Sequence, residues 1–238
     1  MSSSSTSNIT AFDAVLFDLD GVVIDTTELH YRVWEEFARE RGYIPTREQL
    51  LATNGRRAGE TLRAWFGEEL DDEQVAALTD DRERAFHRLL DHEPVAPVPG
   101  VGGYLMSLKQ AGVPYALGTS ALAQNAERAL ERVGLEHLFP VRVTSTDVVR
   151  GKPDPEVYLK ASAALGVSPH ACVVFEDAVA GLRAARAAGA ACVAVATSFP
   201  RDVLLRERPD WLVKDFRDLP QALRPGSQGL TAPTAPHP

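Results

Sequence analysis

An apolar, β-prone run from Ala14 to Leu19 ends at two aspartates one residue apart, Asp18 and Asp20, and the chain turns at Gly21. Alternate side chains of a strand share a face, so both carboxylates project together where the strand runs out. Two close carboxylates repel, and such a pair is stable mainly beside a cation or with one member protonated. Taken alone, the run reads either as a strand ending in a solvated acidic turn or as a strand end that suits a divalent metal, with an acidic nucleophile and an acid/base beside it.

The rest of the chain shows two textures. From Thr26 to Glu93 it reads as purely helical. Thr27–Arg41 carries Leu29, Val33 and Phe37 at helical spacing, with Gly42 as a stop. Thr46 with Gln49 forms a capping-box pattern, and Gly59–Phe66 and Asp71–Leu90 continue the helical periodicity. Pro94, Pro97, Pro99 and Gly100 then punctuate a linker. Beyond it, strand-like runs at Tyr115–Leu117, Val141–Thr144, Cys172–Phe175, Cys192–Ala196 and Trp211–Val213 alternate with helical patterns such as Ala123–Val133, Pro155–Leu165 and Ala178–Ala188. Strands alternating with helices imply a parallel sheet covered on both faces. The expected fold is α/β: a parallel-sheet core over residues 11–25 and 96–224, with a helical block over 26–95 inserted after the first strand. Residues 1–10 and 225–238 are rich in Ser, Thr, Pro and Gly and read as disordered tails.

Composition excludes several classes of function. A net charge of −8 disfavours a nucleic-acid binder, whose footprint is basic. No apolar run approaches the roughly 20 residues of a membrane helix. The N-terminus lacks the apolar core of a signal peptide. Cys172 and Cys192 lie in apolar runs and read as reduced core residues, so the expected location is cytoplasmic.

In open α/β folds ligands bind at the carboxyl ends of strands, and the candidate chemistry lies there. The first strand ends in Asp18 and Asp20, the second in Gly118-Thr119-Ser120, and the fourth in Glu176-Asp177. A Gly151-Lys152-Pro153-Asp154-Pro155 loop opens a helix between the third and fourth. Mg²⁺ takes oxygen ligands in near-octahedral geometry, which Asp18, Asp177 and Glu176 could supply. Phosphoryl transfer needs donors for the transferring oxygens, a task suited to Thr119, Ser120 and the point charge of Lys152. An aspartate nucleophile would form an acyl phosphate and split a hard displacement into two easier ones.

Together these four segments resemble the haloacid dehalogenase superfamily, in order and over roughly Ala14 to Leu223. Phe17-Asp18-Leu19-Asp20-Gly21-Val22-Val23-Ile24-Asp25-Thr26 is similar to the first motif, Thr119 or Ser120 to the second, Gly151-Lys152-Pro153-Asp154-Pro155 to the third and Phe175-Glu176-Asp177 to the fourth. The helical insert after the first motif resembles the small cap of the β-phosphoglucomutase-like branch. The resemblance implies a Rossmann-like core, Asp18 as nucleophile and Asp20 as general acid/base. It implies Mg²⁺ on Asp18, Asp177 and the backbone carbonyl of Asp20, with Glu176 bound directly or one step behind. The cap would close over the substrate and exclude water. Aspartate at position 20 favours phosphatase or phosphomutase chemistry, and the absence of lysine from Gly21 to Leu108 argues against a Schiff-base phosphonatase.

A sugar phosphomutase must also hold a second phosphate, a task suited to cap arginines. The cap loop reads Gly55-Arg56-Arg57-Ala58-Gly59, and in gapless register the arginine expected of a mutase falls on Ala58. Where mutases usually carry Ser-Lys after the second motif, this chain has Ala121-Leu122, and the cap-lysine position is also unfilled. Asp25-Thr26 and His30 match the mutase-like pattern, with His30 placed to contact Asp20 or a substrate hydroxyl. The expectation is a monomeric Mg²⁺-dependent phosphatase of sugar or polyol phosphates, with Ser120, His30, Arg56 and Arg57 as substrate contacts. The alternatives are a β-phosphoglucomutase-type enzyme and a non-catalytic phosphometabolite-binding protein.

Overall fold

The computed structural model describes residues 12–226. The tails expected at 1–10 and 225–238 lie outside the described residues, apart from Pro225 and Gly226. The first strand is β1 (Ala14–Phe17), and four helices follow it: α1 (Thr27–Glu40), α2 (Arg47–Leu51), α3 (Ala58–Phe66) and α4 (Asp72–His92). Strands and helices then alternate: α5 (Val101–Ala111), β2 (Tyr115–Gly118), α6 (Ala123–Arg132), β3 (Arg142–Val143), α7 (Glu156–Ala164), β4 (Cys172–Glu176), α8 (Val179–Ala187), β5 (Ala191–Val195), α9 (Arg201–Arg206) and β6 (Trp211–Val213). All pairings are parallel, in the order β3-β2-β1-β4-β5-β6.

β1 is central because every one of its residues is buried, which a strand covered on both faces requires. Its alternation divides two cores. Val15 and Phe17 face one side with Val173, Phe175, Val193 and Val195. There the Phe17 and Phe175 rings stack with centroids 5.4 Å apart, and Tyr104 of α5 meets both edge-on. Ala14 and Leu16 face the other side with Cys172, Val174 and Cys192. The alanines of α8 (Ala184, Ala185) let that helix approach closely. Both cysteines are buried and unpaired.

Helices α1–α4 enclose an apolar cluster of their own, built on Tyr31, Trp34, Phe37, Leu50, Leu62 and Val75. The Thr46–Gln49 capping box is formed: the Thr46 hydroxyl accepts from the Gln49 amide at 3.2 Å, and Gln49 Oε1 accepts from the Thr46 amide at 2.8 Å. Gly42 follows α1 at φ +78°, a conformation that suits glycine at a helix end. The chain leaves the sheet and returns to it at one paired site. Asp25 N donates to Ala96 O at 2.9 Å and Val98 N to Val23 O at 3.0 Å, an antiparallel bridge around Ile24 and Pro97.

Differences from the sequence reading are local. The third strand shrinks to two residues because it lies at the sheet edge and pairs only with β2. The periodicity set no expectation for α5, whose Gly102-Gly103 pair extends the look of the linker, or for the six-residue α9. Among the described residues no helix is long and apolar enough to cross a membrane.

Candidate active site

Parallel pairing of β1 with β2 and β4 aligns three strand ends on one rim. The ordering is held by the backbone: Asp18 N donates to Phe175 O at 3.0 Å and Thr119 N to Val143 O at 2.9 Å. Lys152 reaches this rim from the loop before α7 and is wholly buried. Its Nζ lies 2.9 Å from Asp18 Oδ1 and donates to Glu176 Oε1 at 2.7 Å. Tyr158 OH donates to the same Glu176 oxygen at 2.8 Å, and Glu176 Oε2 accepts from the amides of Asp177 and Ala178, both at 3.0 Å. Glu176 is thus fully engaged and anchors Lys152. A Cβ on Gly181 would collide with its carboxylate, so only glycine allows α8 to pack against it.

Asp177 takes a hydrogen bond from the Ser198 hydroxyl, and Gly21, at φ +73°, leaves the room that a Cβ would take from Asp177 and Ser198. Carboxylate oxygens of Asp18, Glu176 and Asp177 lie within 4.8 Å of one another, all buried. Burial pushes the Asp18 carboxyl up to about 7; Lys152 opposes that rise while Glu176 and Asp20 add to it. Burial, with Glu176 and Asp18 beside it, drives Asp177 well above the usual carboxylate range. Burial acts against the Lys152 ammonium too, but the Asp18 and Glu176 charges overcome it and raise its pKa. One ammonium thus faces three carboxylates, and the cluster is short of positive charge.

Asp20 points to the helical side. Thr26 Oγ1 donates to its Oδ1 at 2.5 Å, and His30 Nε2 lies 3.0 Å from the same oxygen. Arg82 Nη2 sits 2.7 Å from His30 Nδ1. A guanidinium only donates, so Nδ1 accepts and Nε2–H donates to Asp20. Burial acts to raise the Asp20 carboxyl, yet His30, Thr26 and Arg82 together hold it below its ordinary value.

Behind His30 stands a network that sequence reading missed. Arg82 Nη1 donates to Glu83 Oε1 at 2.9 Å, and both side chains are buried. The Asn125 amide of α6 donates to Glu83 Oε2, and His87 Nε2 donates to Asn125 Oδ1 at 2.6 Å. The signal was periodicity: positions 82 and 83 fall on the buried stripe of α4 that holds Val75, Phe86 and Leu90.

The remaining expected contacts are placed as follows. Thr119 Oγ1 accepts from Ala121 N at 3.1 Å, leaving its hydroxyl proton unspent. Ser120 Oγ donates across to Gly55 O at 2.8 Å. Arg56 is exposed and lines the cleft. Arg57, expected at a phosphate, turns its guanidinium onto the carbonyls of Ser145, Val148 and Val149. Between rim and helices lies a cleft of about 300 Å³, lined by Asp18, Asp20, His30, Arg82, Thr119 and Asp177 among others. Among the described residues, the buried atoms Arg57 Nε, Arg82 Nε and Ser145 Oγ lack a hydrogen bond, and Asp18 Oδ1 has only the Lys152 ammonium beside it. All four residues line this cleft.

The pattern of the haloacid dehalogenase-like hydrolases matches residues 15–195. The chain belongs to that family. This hydrolase is 35% identical over 212 residues to validoxylamine A 7'-phosphate phosphatase of Streptomyces hygroscopicus subsp. limoneus, covering 87% of this chain and 96% of the relative. It is 33% identical over 207 residues to β-phosphoglucomutase of Bacillus subtilis, covering 83% and 90%, which places it on the β-phosphoglucomutase-like branch. A crystal structure of an HAD hydrolase, family IA, variant 3, from Entamoeba histolytica matches with TM-score 0.79 and 28% identity, covering 87% of this chain and 95% of that one.

The acidic cluster of this hydrolase fits a divalent cation. Its donors are all oxygens, as Mg²⁺ prefers, and they come from three buried carboxylates whose oxygens lie within 4.8 Å of one another. Burial raises the Asp18 and Asp177 carboxyls and neighbouring carboxylates add to it, so a cation there would favour their ionised forms.

Proposed function

We propose that this hydrolase is a Mg²⁺-dependent phosphatase of small sugar or polyol phosphate monoesters, acting through an aspartyl phosphate on Asp18. One observation carries the reading. A buried carboxylate, Asp18, stands in a charge-deficient acidic cluster, while Asp20, two residues on, is oriented separately by Thr26 and His30. Two carboxylates in different environments suit two different tasks.

In this reading Asp18 attacks phosphorus. Lys152 pairs with Asp18 and fixes the carboxylate, and the free hydroxyl proton of Thr119 meets an oxygen of the transferring group. Asp20 in its protonated form gives a proton to the leaving alcohol. As a carboxylate, the state its partners favour here, it takes one from the water that cleaves the acyl phosphate. His30 Nε2–H holds Asp20 in line for both transfers. Asp18 and Asp177, with Glu176 behind them, would hold Mg²⁺, which when bound supplies positive charge to the phosphoryl oxygens. The helices over the cleft limit water at the reacting centre.

The state of the cap arginines favours hydrolysis over mutation of a sugar phosphate. Arg57 is committed to three backbone carbonyls and Arg82 to Glu83 and His30. Arg56 remains as an exposed cation on the cleft wall, a weak provision for a second phosphate dianion. The relatives carry both chemistries in their names, a phosphatase and a β-phosphoglucomutase. The test is incubation with Mg²⁺ and β-glucose 1-phosphate, with and without a trace of glucose 1,6-bisphosphate, alongside a panel of hexitol and sugar phosphates. Free phosphate, lost in EDTA and restored by Mg²⁺, is expected. Bisphosphate-dependent glucose 6-phosphate with little free phosphate would make it a mutase.

A further inference from the structure

Lys152 is buried between Asp18 and Glu176, and the segment that delivers it, residues 145–151, is held from two sides. Its amides are tied to the core. Glu156 of α7 accepts from Val149 N at 3.1 Å and Arg150 N at 2.9 Å. Its carbonyls are tied to the helical insert, where Arg57 donates to Val149 O at 2.9 Å and to the carbonyls of Ser145 and Val148. The aliphatic stem of Arg57 lies over Gly151, where a Cβ would stand 2.9 Å from Arg57 Cγ and Cδ. Lys152 is the next residue. The neighbouring Gly55 carbonyl is gripped from the core by Ser120, beside Thr119. The loop 55–57 thus touches both core loops that bring Thr119 and Lys152 to Asp18.

A planar guanidinium aimed at three carbonyls is a geometric clamp, which a point charge on a flexible stem does not reproduce. We propose that Arg57 is a positioning residue: seating of the 55–57 loop on the core fixes the 145–151 segment and thereby Lys152 against Asp18. Its cation serves the protein's own backbone and contacts no distal phosphate. The inference rests on Asp18 and Lys152 as the reacting centre in the function proposed above.

The test compares Arg57→Ala and Arg57→Lys with the parent, using a polyol phosphate and acetyl phosphate. Acetyl phosphate is too short to meet the cap. A misplaced Lys152 predicts that Arg57→Ala lowers kcat on both donors by on the order of 10²-fold, with KM changed less. Arg57→Lys should recover part of that loss. Amide hydrogen exchange should accelerate at 145–151 while β4 stays protected. A raised KM for the polyol phosphate with normal acetyl phosphate turnover would make Arg57 a substrate contact and overturn the proposal. Unchanged exchange at 145–151 would overturn it equally. Should Arg57→Ala fail to fold, Arg57→Lys carries the same comparison at smaller amplitude. A parent inactive on every phosphate ester would remove the phosphatase reading, while the exchange comparison, independent of turnover, still decides whether Arg57 holds the segment.

Discussion

Two buried polar networks face each other across the cleft, and they balance charge in opposite ways. On the sheet rim three carboxylates share one ammonium; burial raises the Asp18 and Asp177 carboxyls, and their negative neighbours add to the rise. On the helical side Arg82 and Glu83 pair one to one in charge, and His30, Asn125 and His87 extend the network. The unbalanced network is where chemistry with an added cation can occur. The balanced one holds a shape, keeping His30 on Asp20. The difference lies between a site built to receive charge and a wall built to stay fixed.

Mutations should separate the two. Asp18→Asn removes the proposed nucleophile and one surplus negative charge. Turnover should fall below detection, while the metal-free protein melts no lower at acid pH and progressively higher as pH rises from the ordinary value of 3.8 to about 7, above which the advantage is full, because the parent must ionise a buried carboxyl over that range. Calorimetry showing a large loss of stability would mean that the rim cluster is balanced after all. Asp20→Asn should slow turnover of an alkyl phosphate by roughly 10²–10⁴-fold, the range of general acid/base groups. An ester with a good leaving group should lose less in the first half-reaction, and equal losses would place Asp20 in a different role.

The opposite pattern belongs to the helical side. Glu83→Ala strands Arg82 without its counter-charge and should cost about 3–5 kcal/mol, or roughly 6–20 °C in melting temperature for a domain of this size. A melting point within a degree or two of the parent would show that Glu83 is dispensable to the wall. The smallest effect is expected at the cysteines. Burial pushes both Cys172 and Cys192 thiols up to about 12, so a thiol reagent near neutral pH should label neither until the chain unfolds. Rapid labelling of the native protein would mean that the sheet face carrying them opens.

The rim was legible in the sequence because strand ends announce themselves: Asp18, Asp20, Thr119, Glu176 and Asp177 each follow an apolar run. Lys152 stood out by its Gly-Pro loop. The helical wall was not legible in the same way. Asp80-Asp81-Arg82-Glu83-Arg84 looks like a solvated run, and only the stripe through Val75, Phe86 and Leu90 shows that its third and fourth members turn inward. Arg57 is a further case. A cap-loop arginine suggests phosphate, but whether its guanidinium meets ligand or backbone depends on where residues 145–149 come to rest, 88 or more positions along the chain. Ser198 and Gly181 were missed because their partners, Asp177 and Glu176, are set by packing around α8 rather than by neighbouring sequence.

The antiparallel bridge between residues 23–25 and 96–98 closes the path of the insert on itself, so its two ends meet within one pair of hydrogen bonds. An excursion that starts and finishes at the same place imposes little on the body that hosts it. Changes of length in the insert that spare Leu29, Val33, Phe86 and Leu90, which join the core on β1, should leave the order of the six strands intact. The bridge thus acts as a socket: Asp18, Asp20, Thr119, Lys152, Glu176 and Asp177 are carried by the core, and the insert plugged in above reaches back to it through a few contacts such as that of Arg57.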